Sequence, residues 1–276
     1  MKYFKLYEEY KNIKLVFVGD IMQHMNQIEK ERDRGFSYDG VFDNIESIVK
    51  SADFSVGNLE TVFAGLDIVR HRDNGNPVFS APDAFARSLS RVGFDALSVI
   101  NNHMYDHDEG GLQRTVNIIE REGMLPLETA KVVEIGDLRI AFHPATSYVN
   151  DHDAGNRKLI RYPDLKISPF PDCFNIALVH WGGQFEPITS RQRRMCDSLI
   201  SKGFDMIIGS GPHIEQPVEM IGDTLVAWSL GNFLSSHEGY NADKPNEGIM
   251  LEVNIGEEID WQKINIKTEN NKIVIQ

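Results

Sequence analysis

Short apolar runs, each closed by a residue able to bind a metal, recur through the chain, and helical or polar segments separate them. Ile13–Val18 ends on Gly19-Asp20, and Phe54-Ser55-Val56 ends on Gly57-Asn58-Leu59-Glu60. Ala96–Ile100 runs into Asn101-Asn102-His103, Phe174–Val179 into His180-Trp181, and Asp205–Ile208 into Gly209-Ser210-Gly211-Pro212-His213. Runs of this length, rich in β-branched residues, read as buried strands. In open α/β sheets, ligands gather outside the carboxyl ends of the strands. The pattern therefore predicts an α/β fold with one polar site where these strand ends converge. Its centre is the stretch from Val99 to Leu112, in which Asp106, His107, Asp108 and Glu109 follow the Asn-Asn-His cluster.

The intervening segments support that fold. Val41, Phe42, Ile45, Ile48 and Val49 have helical spacing. Pro82-Asp83 opens a helix that Gly93 ends, and another runs from Gly111 to Glu122. Lys131–Ile135 and Leu138–Phe142 form a hairpin across Gly136-Asp137, and a helix spans about Ser190–Lys202. Residues 22–40, 64–78 and 150–172 read as polar or loop segments, the last with one helical turn. From Val218 onward the pattern is strand. No segment reads as a linker, so residues 1–276 are expected to form one domain, core about 13–255, with two packed sheets between helices.

A net charge of −13 argues against a nucleic-acid or anionic-membrane partner. Cys173 and Cys196 are too few for a disulfide framework and read as plain thiols. Residues 1–14 lack the apolar core of a secretory signal, and no run approaches a membrane span, which predicts a cytoplasmic protein without a transmembrane segment.

Carboxylates, an amide oxygen and imidazoles arriving from several strands are the donor set that divalent cations take. Paired cations of this kind activate water and clamp a phosphoryl group. A single histidine is weak evidence, because most are capping, core or surface groups; five strand ends of the right chemistry carry more. Asp106 reads either as a partner orienting an imidazole or as an acidic cap on the following helix. His71 and Arg72 lie in a loop, and Arg191, Arg193 and Arg194 read mainly as a solvated helix face. His143, His152 and His237 lack supporting spacing, while Gln184 and Glu186 are candidates for a polar pocket wall. There is no G-x-S-x-G elbow and no nucleotide-binding glycine fingerprint.

The ordered motifs Gly19–Met22 (GDIM), Gly57–Thr61 (GNLET), Asn101–Asp106 (NNHMYD), Val179–Gly182 (VHWG), Gly211–His213 (GPH) and Ser229–Phe233 (SLGNF) resemble the CapA family. These are poly-γ-glutamate capsule-synthesis proteins related to the calcineurin-like metallophosphoesterases. The resemblance implies a four-layer sandwich, two mixed β-sheets flanked by helices. It also implies metal ligands at Asp20, Glu60, Asn102, His180 and His213, and catalysis by His103, beside which Asp106 is the candidate partner from the residue reading above. His24, Asn58, Trp181 and Asn232 would line the substrate side. One or two divalent ions, Mn, Zn, Fe or Mg, would be bound.

Two departures bear on this set. Gly211 stands where the family pattern reads histidine, and Asp20 is followed by Ile21-Met22 instead of the Asp-x-His opening, with His24 the nearest imidazole. The functional expectation is a metal-dependent hydrolase of a phosphoester or related bond in capsule or poly-γ-glutamate metabolism, acting on a small molecule or an anionic polymer. Its alternative is a non-catalytic binding or assembly protein with a degraded metal site. An anionic polymer would need a basic cleft built from Arg70, Arg72, Arg191, Arg193 or Arg194.

Overall fold

The computed structural model describes residues 12–65, 78–151, 158–162, 164–236 and 246–276. The chain begins β1 (Ile13–Ile21), α1 (Met25–Arg32), α2 (Glu46–Lys50), β2 (Phe54–Leu59), α3 (Asp83–Val92), β3 (Ala96–Ser98), α4 (Asp108–Arg121) and β4 (Leu125–Leu127). It continues β5 (Lys131–Ile135), β6 (Leu138–Thr146), β7 (Tyr148–Asp151), β8 (Lys158–Arg161), β9 (Phe174–His180), α5 (Ser190–Lys202) and β10 (Met206–Ser210). The last strands are β11 (Glu215–Ile221), β12 (Thr224–Leu230), β13 (Asn232–Leu234), β14 (Glu247–Ile255), β15 (Ile259–Glu269) and β16 (Lys272–Ile275).

Two large mixed sheets result. One has the order β16-β15-β14-β1-β2-β3-β4, with β13 also paired to β1, and the other runs β11-β12-β10-β9-β6-β5. Because successive side chains of a strand point to opposite faces, each central strand feeds two cores. On β1, Leu15 and Phe17 enter the core between the sheets, while Val16 and Val18 pack with Phe85, Leu89 and Ile119 of the helices. On β9, Ile176 and Leu178 face the other sheet, while Ala177 and Val179 pack with Met195, Cys196 and Leu199 of α5. Three apolar cores thus separate four layers: helices, sheet, sheet, helix.

The ends of elements follow local chemistry. Gly93 closes α3 at φ 109°, a conformation that favours glycine. Thr189 caps α5 by accepting from the Gln192 N–H in a capping box. Several segments differ from the sequence reading. The polar stretch after β1 contains α1, whose inner face buries Gln27 and Glu31 beside Ile28. The Val41–Val49 helix shrinks to α2 after two turns, and the central strand ends at Ser98, not Ile100. Part of the expected loop 150–172 forms the antiparallel hairpin β7–β8. Among the described residues, no helix is long and apolar enough to cross a membrane.

Candidate metal centre

Parallel pairing puts the site residues side by side. Asp20 stands in register with Asn58 on one flank and Asn232 on the other. In the second sheet, Ser210 of β10 stands beside His180 of β9. The sequence reading looked to these carboxyl ends, and the two sheets bring them together.

Glu60 is fully buried at the centre. Its Oε1 lies 3.7 Å from His213 Nε2, 3.8 Å from His180 Nε2 and 3.9 Å from His103 Nε2. Neither of its carboxylate oxygens has a hydrogen-bond partner among the described residues. Asp20, also fully buried, accepts from Asn58 Nδ2 at 2.8 Å and from the Gly211 N–H at 3.2 Å, and its Oδ2 lies 3.1 Å from His213 Nδ1. One donor atom from each of Asp20, Glu60 and His213 falls within 4.8 Å of the others.

The electrostatics are those of carboxylates short of positive charge. Burial raises the Glu60 carboxyl well above its ordinary range, and the Asp20 charge adds to the rise. Burial opposes ionisation of Asp20 too, but the hydrogen bond and charge of His213 outweigh it and hold that carboxyl low. Burial pushes His180 down to about 3, against the pull of Asp20 and with help from the neighbouring imidazoles, so its ring is neutral at pH 7. Neutral imidazole is the form that ligates metals. A buried carboxylate with no donor is costly, and a divalent cation is the partner this donor set fits: hard oxygens from Asp20 and Glu60, nitrogen from His213 and His180.

His103 forms a second unit on the rim. Its Nδ1 lies 2.7 Å from Asp106 Oδ2, which also accepts from the Phe79 N–H at 2.7 Å. The carboxylate fixes a hydrogen on Nδ1 and leaves Nε2 turned towards Glu60. Phe79 wedges between two imidazoles, its ring centroid 4.6 Å from that of His103 and 5.0 Å from that of His24. His24 itself caps α1 and reaches Ser235 Oγ, 3.2 Å from its Nε2.

Other residues take different places from those expected. The Trp181 indole does not face the site. Alternation along β9 sends it to the α5 side, where it stacks on Trp228 and donates to the Trp228 carbonyl at 2.8 Å. Asn58 is engaged by Asp20 and by Asn101, which donates to its Oδ1 at 3.3 Å, so it orients a carboxylate instead of facing a substrate. Asn232 Oδ1 lies 3.1 Å from His213 Nδ1. Asn102 is buried with its Oδ1 unpartnered among the described residues. Gln184 and Glu186 are exposed, and Phe185 between them packs on His213 instead. Arg191 donates to the Ser147 and Tyr162 carbonyls, and Arg193 lies over the Trp228 ring. Arg70, Arg72, His71, His152 and His237 lie outside the described residues. Tyr148 and Ser210, which the sequence reading did not single out, both contact His180, at 3.2 Å from Nε2 and 3.1 Å from Nδ1 respectively.

Gly211 adopts φ 103°, and a Cβ there would lie 2.8 Å from the Trp181 carbonyl oxygen and 3.0 Å from the His180 ring. A histidine at this position has no room beside His180 as it stands. His213 itself sits at φ 60°, left-handed backbone that an imidazole rarely adopts.

The family model described as bacterial capsule synthesis protein PGA_cap matches residues 14–163 and 170–237. The chain belongs to this family. PGA_cap relatives include the capsule biosynthesis protein CapA of Bacillus anthracis, 25% identical over 252 residues, covering 83% of this chain and 61% of that protein. The PGA biosynthesis protein CapA of Bacillus subtilis (strain 168) is 24% identical over 240 residues, covering 79% of this chain and 62% of that protein. The chain thus spans about three fifths of the length of these relatives. Among solved structures, a novel phosphatase of Mycoplasma pneumoniae superposes with a TM-score of 0.56 at 14% identity, covering 93% of this chain and 94% of the other. A hypothetical protein from Thermus thermophilus gives 0.52 at 13% identity, covering 91% and 99%. These likenesses show that the PGA_cap chain shares the fold of both solved structures, the layered sandwich of two mixed sheets described above.

Proposed function

We propose that this PGA_cap protein is a metal-dependent hydrolase of a phosphoester or related bond in capsule or poly-γ-glutamate metabolism, holding one divalent cation between Asp20, Glu60 and His213. The observation that carries the reading is Glu60: a fully buried carboxylate whose oxygens find no hydrogen-bond donor among the described residues but stand among three imidazoles and a second carboxylate, Asp20. His180, neutral and facing Glu60 through Nε2, completes the donor set. The absence of room at residue 211 favours one ion over two.

Such a cation supplies Lewis-acid polarisation of the substrate's phosphoryl or acyl oxygen. The chain's own residues do the rest. Asn58 and the Gly211 N–H hold Asp20 in place, and Asn232 holds His213. With His103 as the imidazolium, water would add to phosphorus as the bond to the leaving oxygen breaks. That oxygen would take the proton from His103 Nε2, and the proton shed by the attacking water would return to Nε2 and restore the imidazolium. Asp106 keeps this nitrogen aimed at the site by holding Nδ1.

Elemental analysis of protein purified without chelator, beside a phosphomonoester and phosphodiester panel with added Mn²⁺, tests the reading. Wild type should carry close to one ion per chain, and Glu60→Gln should lose it. His103→Asn should keep the ion and lose turnover by roughly 10²–10⁴-fold, the usual contribution of a general acid. A chain with neither metal nor turnover would be a polymer-binding member of the family on the same scaffold.

A further inference from the structure

We propose that the β7–β8 hairpin forms the substrate-binding wall of the site, with the Tyr148 hydroxyl and the Asn150 side-chain amide as donors to an anionic oxygen of the substrate. The inference rests on the hydrolase reading for its ligand class, and on the hairpin's own geometry for the residues.

Tyr148 opens β7 with its hydroxyl 3.2 Å from His180 Nε2, the nitrogen that faces Glu60. Its ring lies 5.4 Å from the imidazole, centroid to centroid. The phenol therefore stands at the edge of the cluster. Two residues on, Asn150 points to the same face of the strand, and its backbone N–H donates to the Asn102 carbonyl at 3.2 Å. Asn150 is 3% exposed, yet its Nδ2 has no hydrogen-bond partner among the described residues. A buried amide with idle hydrogens costs free energy unless a ligand or water meets them.

The hairpin is held firmly at its root. The Ser147 N–H donates to the His180 carbonyl at 2.9 Å, and the Tyr162 N–H donates to the Ser147 carbonyl at 2.8 Å. Thr146 Oγ1 donates to the Tyr148 carbonyl at 2.6 Å, and Arg191 from α5 binds the Ser147 and Tyr162 carbonyls. Tyr148 thus leaves a fixed base only one residue from the strand pair that presents His180.

The chemistry of the two donors selects the ligand. The walls already described are carboxylates and imidazoles, and Asp20 and Glu60 repel an anion. A phenol O–H and an amide N–H are neutral donors that accept no extra charge and suit a phosphoryl oxygen held beside a cation. Strands place such donors more accurately than loops do.

Inorganic phosphate is the probe. Mn²⁺ affinity is measured by calorimetry for wild type, Tyr148→Phe and Asn150→Ala, and phosphate affinity is then measured on each protein with and without Mn²⁺. Circular dichroism and melting temperature confirm folding, and Tyr148→Phe keeps the ring that fills the space. The expected result is Mn²⁺ affinity within about threefold of wild type in both variants, with phosphate bound about tenfold more weakly in each. Unchanged phosphate affinity in both variants overturns the proposal, as does a wild type that binds no phosphate. Equal losses of Mn²⁺ and phosphate in Tyr148→Phe also overturn it, since Tyr148 would then only orient His180. Failure of wild type to bind Mn²⁺ removes the cation reading alone. The hairpin is then judged by whether the variants weaken phosphate binding to the metal-free protein.

Discussion

Gly211 stands where the resemblance read from the sequence would place a histidine, and its backbone leaves no room for one. At φ 103°, with the Trp181 carbonyl and the His180 ring against its missing Cβ, the position excludes a side chain while its N–H donates to Asp20. Gly211→His should therefore not add a second ion. It should lower stability by about 1–3 kcal/mol through backbone strain and displacement of His180. Denaturant unfolding with elemental analysis checks both; a stable variant holding two ions would show that the backbone adapts. A different residue, His143, adds to the pH response that His180 also carries. His143, on β6, is buried, with its Nε2 2.9 Å from Oδ1 of Asn175 on β9. Burial lowers its pKa, and the Asn175 hydrogen bond offsets this only in part. The unfolded chain then binds more protons than the folded one between the lowered value and about 6.5. Stability from this residue is complete above that upper limit and erodes as the pH falls through the window. The loss of unfolding free energy between pH 7.5 and 5 should be smaller in His143→Gln than in wild type.

At the scale of elements, α5 tests how local signals and tertiary packing share the work. Its start is marked by Thr189 and Gln192, its end by Gly203 in left-handed backbone, and the sequence reading of Ser190–Lys202 matches it. Thr189→Ala removes the cap on the Gln192 N–H and should cost about 1 kcal/mol in denaturant unfolding, with Arg191 and the hairpin it anchors loosened in hydrogen exchange. Elements whose stability comes from distant partners were not legible in this way. The α1 helix buries Gln27 and Glu31, which hydrogen-bond Asn271 near the chain's far end, so its sequence shows no apolar face. The β7–β8 hairpin is too short to alternate visibly, and its register is fixed from outside by Arg191 and the end of β9. The same contrast divides the site. Asp20, Glu60, His180 and His213 could be picked out because each type of donor sits at the end of a readable strand. Tyr148 and Phe79 approach from short stretches that the sequence reading assigned to no element. The direction of Trp181 was available in principle, because strand period alone puts it opposite to His180.

The whole molecule is more than the segment that carries the family motifs. The PGA_cap match ends at residue 237, and β14–β16 follow it. Yet β14 lies beside β1 in the middle of the larger sheet, pairing Ile13 with Ile255 through to Val18 with Met250. Met250 packs into the helix-side core and Ile249, Leu251 and Val253 into the core between the sheets. Gly248 also permits a close approach, since a Cβ there would lie 2.5 Å from the Asn232 carbonyl oxygen. Asn232 in turn holds His213. Ending the chain after residue 245 would turn β1 into an exposed edge carrying Leu15, Val16, Phe17 and Val18. It would also leave the Asn232 turn unsupported. An apolar edge of this kind pairs with other chains, and the lost burial is comparable with the entire stability of a domain. The truncated chain should therefore be recovered as aggregate in size-exclusion chromatography, without the cooperative unfolding of the full chain. A soluble monomer with native circular dichroism and a bound ion would instead show that the matched segment builds the centre alone. The sheet that presents Asp20 is completed by residues beyond the family match, so the site's carboxylate depends on the last strands of the chain.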